Sequence, residues 1–257
     1  MLLENKNVLI YGVRNKRSLA WGAAQSAARE GARLCLTYLG DREGEEVLKL
    51  VKELPNPETV LVLPCDLTDE EQVAALHARI KDELGTLDAM LHAVAFAKKE
   101  ELDGMYMNTS RDGFILALEV STFTFVTACK NAVALMPDGG SLTTLTYMGS
   151  QRVMPNYNIM GVAKAALEAS VRYLASDLGP QGIRVNAISP GPTMTLSARG
   201  ISGFVELHKL ASEKSPLRRN TNIEEVGDTF AFMASDYARG ITGEVLLVDA
   251  GVHVLGA

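Results

Sequence analysis

Length, composition and charge limit what this chain can be. It has 257 residues, of which 47% are hydrophobic and 22% are charged, and its formal net charge is −6; this is typical of a globular protein with one core. The negative charge argues against a nucleic-acid-binding protein, and no apolar run approaches the ~18 residues of a membrane span. The first residues contain no targeting segment. We therefore expect neither a membrane nor a nucleic acid as a partner.

The spacing of cysteine and histidine argues against a disulfide framework and a metal site. Cys35, Cys65 and Cys129 are odd in number, far apart and surrounded by apolar residues. The four histidines show no spacing typical of metal ligands. The pattern predicts free thiols in a reducing cytoplasm and no metal.

The chain opens with a pattern of strand, glycine loop and helix. The apolar residues 7–11 predict a buried strand that ends at Gly12, and residues 19–30 predict a helix that follows Ser18. A helix N-terminus at this place presents backbone N–H groups to a phosphate, and small residues such as Gly22 allow the helix to lie close to the sheet. The literal G-x-G-x-x-G fingerprint is absent, so an ordinary strand–helix turn remains an alternative.

The next segments predict strands over residues 33–38, 59–63 and 86–92, with helices over 41–53 and 70–84. At the tip of the second strand, Leu39 and Gly40 are neither the acid typical of an NAD site nor the basic group typical of an NADP site. Asp66 follows the third strand, where its carboxylate is suited to an adenine amino group or to a turn. Thr68 and Glu71 match a capping box. Small residues at 93–97 would let a flat ring approach the backbone.

The second half of the chain continues the alternation of strands and helices. We predict helices over 108–136 and 157–179 and from Asn222, and strands over 141–146, 182–189 and 244–249. Residues 194–214 have weak periodicity, which is typical of a binding lid. Seven strands that alternate with helices predict one α/β domain over residues 1–257, a Rossmann-like doubly wound parallel sheet. Ligands of such sheets bind beyond the carboxyl ends of the strands.

One pair of side chains suggests acid–base chemistry. Tyr157 and Lys164 are seven residues apart, so a helix places them on one face, and Tyr147 lies in the loop that precedes them. Alone, the pair also fits a surface tyrosine and a solvated lysine. The glycine loop after the first strand and the turn that begins at Pro190 favour a site, because both follow strand ends.

Together these motifs resemble the short-chain dehydrogenase/reductase family, most closely its divergent branch of bacterial enoyl-acyl-carrier-protein reductases. The matching stretches are Gly12 to Gly22, His92 to Ala97, Tyr147 with Tyr157 and Lys164, and Gly191 to Ala198. Thr144 stands where most of the family has a serine. Pro190, Thr193, Met194 and Arg14 depart from the branch pattern at the pyrophosphate and nicotinamide ends, where they bear on cofactor affinity and preference.

The resemblance implies NADH-dependent reduction of the carbon–carbon double bond of trans-2-enoyl-acyl-carrier-protein thioesters in fatty acid synthesis, by a homotetramer that associates through the two long helices. It assigns the hydrogen bond to the enolate oxygen to Tyr157, the nicotinamide ribose to Lys164, closure over the acyl chain or proton delivery to Tyr147, and substrate contact to Ala97. The cofactor contacts that it implies are Gly12, Ser18, Leu19, Leu39, Asp66, Leu67, Val94, Lys164, Thr193, Met194, Thr195, Leu196 and Ser197. NADH is the first choice because no basic cluster stands at Leu39 and Gly40, while Arg14 and Arg42 keep NADPH open.

Two alternatives and one charge pattern complete the expectations. A ketone or alcohol reductase of the same family needs the serine and an Asn-Asn-Ala-Gly motif, and a catalytically inactive nicotinamide-binding regulator is expected to have lost its tyrosine or lysine. Residues 194–219 carry an excess of three positive charges over negative ones. This excess suits an acidic acyl carrier protein or, alternatively, a solvated face with internal salt bridges.

Overall fold

Seven parallel strands form one sheet in the computed structural model, which describes residues 1–255. The spatial order is β3-β2-β1-β4-β5-β6-β7. The strands are β1 (Asn7–Tyr11), β2 (Arg33–Tyr38), β3 (Leu61–Pro64), β4 (Ala89–His92), β5 (Gly140–Leu145), β6 (Ile183–Pro190) and β7 (Val245–Val248). The order reverses between β1 and β4, so the predicted doubly wound sheet is confirmed.

Helices cover both faces of the sheet. They are α1 (Leu19–Arg29), α2 (Asp41–Val51), α3 (Glu70–Leu84), α4 (Arg111–Leu118), α5 (Thr124–Val133), α6 (Asn158–Leu178), α7 (Leu196–Arg199), α8 (Phe204–Lys214) and α9 (Ile223–Ala234). Val8 and Ile10 of β1 pack in the core with α1, α2 and α9, whereas Leu9 and Tyr11 pack in the opposite core with α3, α5 and α6. This alternation is the period of two that a strand buried on both faces requires.

Several element boundaries differ from the sequence expectation for local reasons. The third strand begins at Leu61 because Pro57–Thr59 form a 3-10 turn before it. The fourth strand is shorter than residues 86–92 and begins at Ala89. The predicted Thr68 capping box is wrong: Asp69 caps α3, and its carboxylate accepts from the backbone N–H groups of Glu71 and Gln72.

The long helix predicted over residues 108–136 is not one regular α-helix. It begins at Arg111, capped by the Ser110 hydroxyl, and a π-helical segment at Glu119–Phe123 separates α4 from α5. The whole stretch Arg111–Val133 has a mean hydropathy of 1.4 in its most apolar window, so by length and composition it could cross a membrane, contrary to the sequence expectation. Half of that window is buried inside the fold, as in the core helix of many globular domains.

One further expectation is corrected by packing. Gly22 of α1 faces α9 and not the sheet: a Cβ at Gly22 would overlap the Ile223 carbonyl, and a Cβ at Gly227 would overlap the Gly22 carbonyl. The weakly periodic residues after Thr193 are largely helical, since α7 and α8 occupy most of them. Their periodicity is weak because only Phe204 and Ala211 of α8 are buried.

Candidate active site

The loops that follow β1 and β4 lie where the sheet reverses its order, which is the place at which doubly wound sheets form a ligand crevice. Gly12 ends β1 with a positive φ of 87°, and a Cβ there would lie 2.5 Å from the carbonyl oxygen of Ala93. No side chain fits at residue 12, so backbone meets backbone at this place. Val94 is half-buried at the same contact. The two loops form a flat floor of the kind that a dinucleotide requires.

The N-terminus of α1 begins at one end of this crevice. The Ser18 hydroxyl donates to the Asn15 carbonyl at 2.8 Å and accepts from the Trp21 N–H at 3.2 Å. These bonds fold the loop of residues 12–18 against the first turn of the helix, and Leu19 is half-buried there. Ser18 and Leu19 therefore lie where the predicted pyrophosphate contact requires them; the contact itself stays a prediction.

The tip of β2 carries a mixture of apolar and charged groups. The Leu39 side chain is 67% exposed, and Gly40 is the N-cap residue of α2. Arg14 reaches across from the first loop, where its Nε lies 3.4 Å from Glu43 Oε1. Much of the positive charge of Arg14 is therefore offset by a carboxylate, while Arg42 is exposed on α2.

Asp66 and Leu67 occupy the turn after β3. Asp66 Oδ1 accepts from the backbone N–H of Thr68 at 2.9 Å and from its hydroxyl at 2.7 Å. Leu67 is buried in the core, so only its backbone is available to a ligand. One oxygen of Asp66 therefore stabilises the turn, which is the alternative role that the sequence allowed for this residue. The carboxylate is half-buried and lies at the carboxyl-end edge of the sheet.

Two tyrosines pack against each other after β5. The Tyr147 and Tyr157 ring centroids are 5.1 Å apart and the ring planes are inclined by 69°. Tyr157 directly precedes α6, so the regular helical spacing begins only at Asn158. Among the described residues the buried Tyr147 hydroxyl has no hydrogen-bond partner. A buried hydroxyl without a partner is unfavourable, and here it lies beside the crevice where a ligand group could satisfy it.

Lys164 lies in α6 and is 6% exposed. Its ammonium group donates to the Leu145 carbonyl at 2.8 Å. Burial lowers the pKa of Lys164 to about 8, and the nearby Glu168 opposes this change. Burial raises the pKa of Tyr147 to about 12, and burial followed by the Tyr147 hydroxyl raises the pKa of Tyr157. Both phenols are therefore protonated at neutral pH, which makes them hydrogen-bond donors.

The position of the family serine is occupied by a hydroxyl that points away from the crevice. Thr144 is fully buried, and its Oγ1 lies 3.1 Å from His92 Nδ1 and donates to the His92 carbonyl at 3.2 Å. His92 Nε2 lies 2.9 Å from Thr124 Oγ1. Burial, and then Lys164, lower the pKa of His92 to about 3, so the ring is neutral and structural.

The π-helical segment supplies contacts that sequence reasoning missed. Ser121 Oγ accepts from the Phe96 N–H at 3.1 Å and donates to the Phe96 carbonyl at 3.2 Å. Thr122 Oγ1 donates to the Ala163 carbonyl at 2.8 Å, next to Lys164. These bonds fix the loop that carries Phe96 and the half-buried Ala97. The only sequence signal was a run of hydroxyl residues inside an apolar helix, which a regular helical reading treats as neutral.

The turn after β6 forms the remaining wall. Thr193 is buried, and its hydroxyl donates to the Gly191 carbonyl at 3.0 Å. Thr195 caps α7 by accepting from the Ala198 N–H at 3.1 Å, while Met194 is half-buried and Leu196 and Ser197 are exposed. The Asn156 amide donates to the Ser202 carbonyl at 2.8 Å. The segment with α7 and α8 is thereby joined to the loop that carries Tyr157.

The basic excess of residues 194–219 is partly neutralised. Lys209 Nζ lies 3.9 Å from Glu213, and Arg219 pairs with Glu225 at 2.6 Å. Arg218 donates to the carbonyls of Glu213 and Lys214. Within residues 1–255 no group of three or more histidine, cysteine, aspartate or glutamate side chains is arranged to hold a metal ion.

A known protein family matches nearly the whole of this chain. The family described as Enoyl-(Acyl carrier protein) reductase matches residues 12–253, from the glycine that ends β1 to the segment after β7. The chain belongs to this family. The predicted resemblance is therefore confirmed.

Similar proteins extend over nearly the full length. The enoyl-acyl-carrier-protein reductase (NADH) FabI of Bacillus subtilis is 52% identical over 98% of this chain and 97% of its own. A Staphylococcus aureus relative named for NADPH is 45% identical, covering 98% of each chain. The crystal structure of the Bacillus cereus enoyl-acyl carrier protein reductase with NADP+ and indole naphthyridinone has a TM-score of 0.97 and 50% identity, and covers 100% of this chain and 99% of its own.

Proposed function

We propose that this chain reduces the carbon–carbon double bond of trans-2-enoyl-acyl-carrier-protein thioesters with NADH, in fatty acid synthesis. One observation carries the proposal: two protonated phenols, Tyr147 and Tyr157, pack together after β5, and the buried ammonium group of Lys164 binds the Leu145 carbonyl at the end of that strand. The names of the relatives, which cover nearly all of the chain, support the same reaction.

The residues of the chain have separable roles in this reaction. A bound nicotinamide would supply the hydride to the β-carbon. The negative charge that this leaves on the thioester oxygen would be lost when the α-carbon takes a proton from solvent. Tyr157 donates a hydrogen bond to that oxygen, because its raised pKa keeps the phenol protonated. Lys164 holds the ribose hydroxyls and places positive charge near the enolate. Tyr147 closes over the acyl chain, and Ala97 borders the substrate.

The crevice fits a dinucleotide. Its floor at Gly12 has no room for a Cβ, and the Tyr147 hydroxyl lacks a partner among the described residues. We assign cofactor contacts to the predicted set of Gly12, Ser18, Leu19, Leu39, Asp66, Leu67, Val94, Lys164 and residues 193–197. NADH is preferred because Glu43 offsets Arg14 at the tip of β2 and would repel a 2′-phosphate. Because a S. aureus relative is named for NADPH, the preference has to be measured by comparing turnover with NADH and with NADPH.

The two rival functions are less well supported. A ketone or alcohol reductase needs a serine hydroxyl in the crevice, whereas the Thr144 hydroxyl is bound to His92 inside the sheet. A nicotinamide-binding regulator without activity has no need for a buried lysine beside paired phenols, and burial of Lys164 is unfavourable for folding. Neither rival explains the Tyr147–Tyr157 pair.

The reaction also implies partners and a setting for the chain. We assign residues 194–214 to a substrate lid, since α8 is largely exposed and the segment is held near Tyr157 by Asn156. The cations Arg199 and Lys214 of this segment are exposed, which supports docking of an acidic carrier protein. Exposed apolar side chains on the long helices, among them Ile115 and Phe123, support a homotetramer. The free cysteines suit a cytoplasmic protein.

Turnover tests the central proposal. NADH and NADPH oxidation are followed with a crotonyl thioester and with a ketone, for wild type, Tyr157→Phe and Tyr173→Phe. We expect turnover of the enoyl thioester, a loss of about 10²–10³ in kcat for Tyr157→Phe and no loss for Tyr173→Phe, whose ring is 76% exposed on the same helix. Turnover of the ketone alone would reverse the assignment.

Salt dependence tests the carrier-protein docking. The Michaelis constant for a carrier-bound enoyl substrate should rise with salt more steeply than that for the CoA-bound substrate, because only the carrier presents an acidic surface. Equal dependence would remove the docking role of the lid and leave the reduction itself intact.

A further inference from the structure

A buried carboxylate lies one helical turn beyond Lys164. Glu168 of α6 is 5% exposed, and among the described residues it has no arginine or lysine within ion-pair distance. Burying a carboxylate without a direct ion pair is strongly unfavourable unless hydrogen bonds compensate. Glu168 therefore requires an explanation that packing alone does not give.

All of the hydrogen bonds that Glu168 accepts come from the loop that carries Tyr147. The Thr146 hydroxyl donates to Oε1 at 2.7 Å and the Ser150 hydroxyl donates to the same atom at 2.5 Å. The Gln151 amide donates to Oε2 at 3.5 Å. Since Thr146 precedes Tyr147 and the other two follow it, one side chain holds both sides of the tyrosine.

Lys164 and Glu168, on successive turns of α6, both form hydrogen bonds with the end of β5 and the residue after it. The Lys164 ammonium group binds the Leu145 carbonyl, and the Glu168 carboxylate binds the next residue, Thr146. The loop that carries Tyr147 thus depends on two opposite charges of a single helix. The carboxylate is also the charged group whose field opposes the loss of the proton from Lys164.

Other titratable groups near this pair do not replace it. His92 on β4 is neutral, because burial lowers its pKa to about 3, and the two site tyrosines are protonated. A cavity of about 90 Å³ on the far side of the loop is lined by Glu168, Arg152 and His253 among others. Arg152 donates to the carbonyls of His253 and Leu255, and His253 pairs with Asp249. The Arg152 and His253 side chains of the cavity are thus engaged by the C-terminal segment.

We propose that Glu168 is a positioning residue of the reductase site, which holds the loop that carries Tyr147 and supplies the negative charge that keeps Lys164 an ammonium ion. The proposal rests on the function proposed above and deepens it. Its two parts are separable, because the charge depends on the carboxylate and the tether depends on the donors in the loop.

Two substitutions separate the parts. Glu168→Gln keeps the shape and an accepting oxygen but removes the charge, whereas Ser150→Ala keeps the charge and removes one tether. The readout is the titration of the Lys164 side chain by NMR in the protein without cofactor or substrate, with the Lys164 signal identified by Lys164→Arg. Glu168→Asp keeps the charge, and it replaces Glu168→Gln in the titration if that variant does not fold.

The expected results differ between the variants. In Glu168→Gln the midpoint of the Lys164 titration falls by about one pH unit or more, and the high-pH limb of kcat/KM moves in the same direction. Ser150→Ala leaves the midpoint in place and lowers kcat about tenfold by loosening Tyr147. Glu168→Asp keeps the midpoint nearer to that of wild type than Glu168→Gln does.

Clear outcomes would overturn the proposal. An unchanged midpoint in Glu168→Gln would do so, as would an equal shift in Ser150→Ala, since the charge would then not be the cause. If Glu168→Gln does not fold, Glu168→Asp replaces it in the test. The proposal is then overturned if the Lys164 midpoint in Glu168→Asp falls by as much as the loss of the charge predicts. The titration needs no turnover, so a wild-type protein inactive toward enoyl thioesters would refute the proposed function and leave the role of Glu168 to be decided by the NMR result.

Discussion

The ammonium group of Lys164 lies in the candidate site, where burial of its charge lowers the stability of the folded protein. Burial lowers its pKa from 10.5 to about 8, which corresponds to about 3 kcal/mol of destabilisation while the group is charged. We predict that Lys164→Met abolishes reduction and stabilises the protein at pH 7 by about 1–2 kcal/mol, because the lost bond to Leu145 offsets part of the gain. Urea unfolding of both proteins measures the difference.

The pH dependence of this difference has a definite sign. Between pH 8 and 10.5 the unfolded chain keeps the Lys164 proton that the folded chain has lost. The stability of wild type therefore gains from this group as pH rises through that window. The advantage of Lys164→Met should be largest below pH 8 and shrink toward pH 10.5. An advantage that stays constant across the window would contradict the assignment.

Tyr147 offers a similar conflict between stability and function. Its buried hydroxyl has no partner among the described residues, so Tyr147→Phe should raise the free energy of unfolding by about 1 kcal/mol. The same change should raise the Michaelis constant for the enoyl thioester. Thermal unfolding and steady-state kinetics check the two effects.

Tyr11→Phe is the matched control for that experiment. The Tyr11 hydroxyl is equally enclosed but lies 3.4 Å from His77 Nε2. Removing it leaves the His77 nitrogen without its partner, so this variant should lose stability and keep its kinetics. Destabilisation of Tyr147→Phe to the same extent would show that its hydroxyl is satisfied in the free protein.

At the scale of elements, α1 and α9 meet at a crossing that only glycine permits. A Cβ at Gly22 would overlap the Ile223 carbonyl, which belongs to the backbone and has no side-chain freedom to move away. We predict that Gly22→Ala lowers the free energy of unfolding by about 3 kcal/mol or more. Because α1 begins at the cofactor loop, NADH affinity should fall as well. Denaturant unfolding and fluorescence titration with NADH measure these effects.

Gly179→Ala provides the comparison. Gly179 follows α6 with a φ of −53°, and a Cβ there would meet nothing within 4 Å. Alanine should be neutral or slightly stabilising at this position, since it restricts the unfolded chain. If Gly22→Ala and Gly179→Ala lower the free energy of unfolding equally, the loss comes from the reduced flexibility of the chain and not from the crossing of α1 and α9.

The elements were predictable where the apolar pattern is regular. Residues 7–11 have the predicted bounds because they form an apolar run that is buried on both faces, and residues 70–84 because their buried side chains recur at helical spacing. The π-helical segment at Glu119–Phe123 was not predictable, because its cause is tertiary: Ser121, Thr122 and Thr124 bind groups from β4, α6 and the loop at Phe96. Likewise, nothing in the sequence shows that Gly22 faces α9.

At the scale of the molecule, the three cysteines share one of the two cores. Cys35, Cys65 and Cys129 are free and buried, and burial raises the pKa of Cys35 and of Cys65 to about 12. We predict no reaction with a thiol reagent at pH 8 in the native protein and complete reaction after unfolding. Absorbance of the released thiolate reports both states.

The control for thiol access lies in the segment 194–214, which we assign to a lid. Ser202 is exposed, so Ser202→Cys should react at once under native conditions. Fast reaction of one native cysteine would mean that the core on the α3, α5 and α6 side opens locally. Reaction of all the native thiols at one common slow rate would instead indicate opening of that core as a unit.

The location of the candidate site was predictable from topology, but the hydrogen bonds and ion pairs between its side chains were not. Gly12, Asp66, Val94, Tyr147 and Thr193 follow different strands, and a parallel sheet brings all those strand ends to one edge. The sequence cannot show which hydrogen bonds then form. That Arg14 faces Glu43 and that Glu168 holds the loop at Tyr147 depend on side chains from separate elements.

The buried Thr144 has a consequence for how the chemistry of this fold can change. Its hydroxyl is bound to the ring and the carbonyl of His92, and a serine at residue 144 would form the same bonds. A route from this enzyme to a ketone reductase therefore cannot start with a substitution at residue 144 alone, because the ring and the carbonyl of His92 would still bind the new hydroxyl.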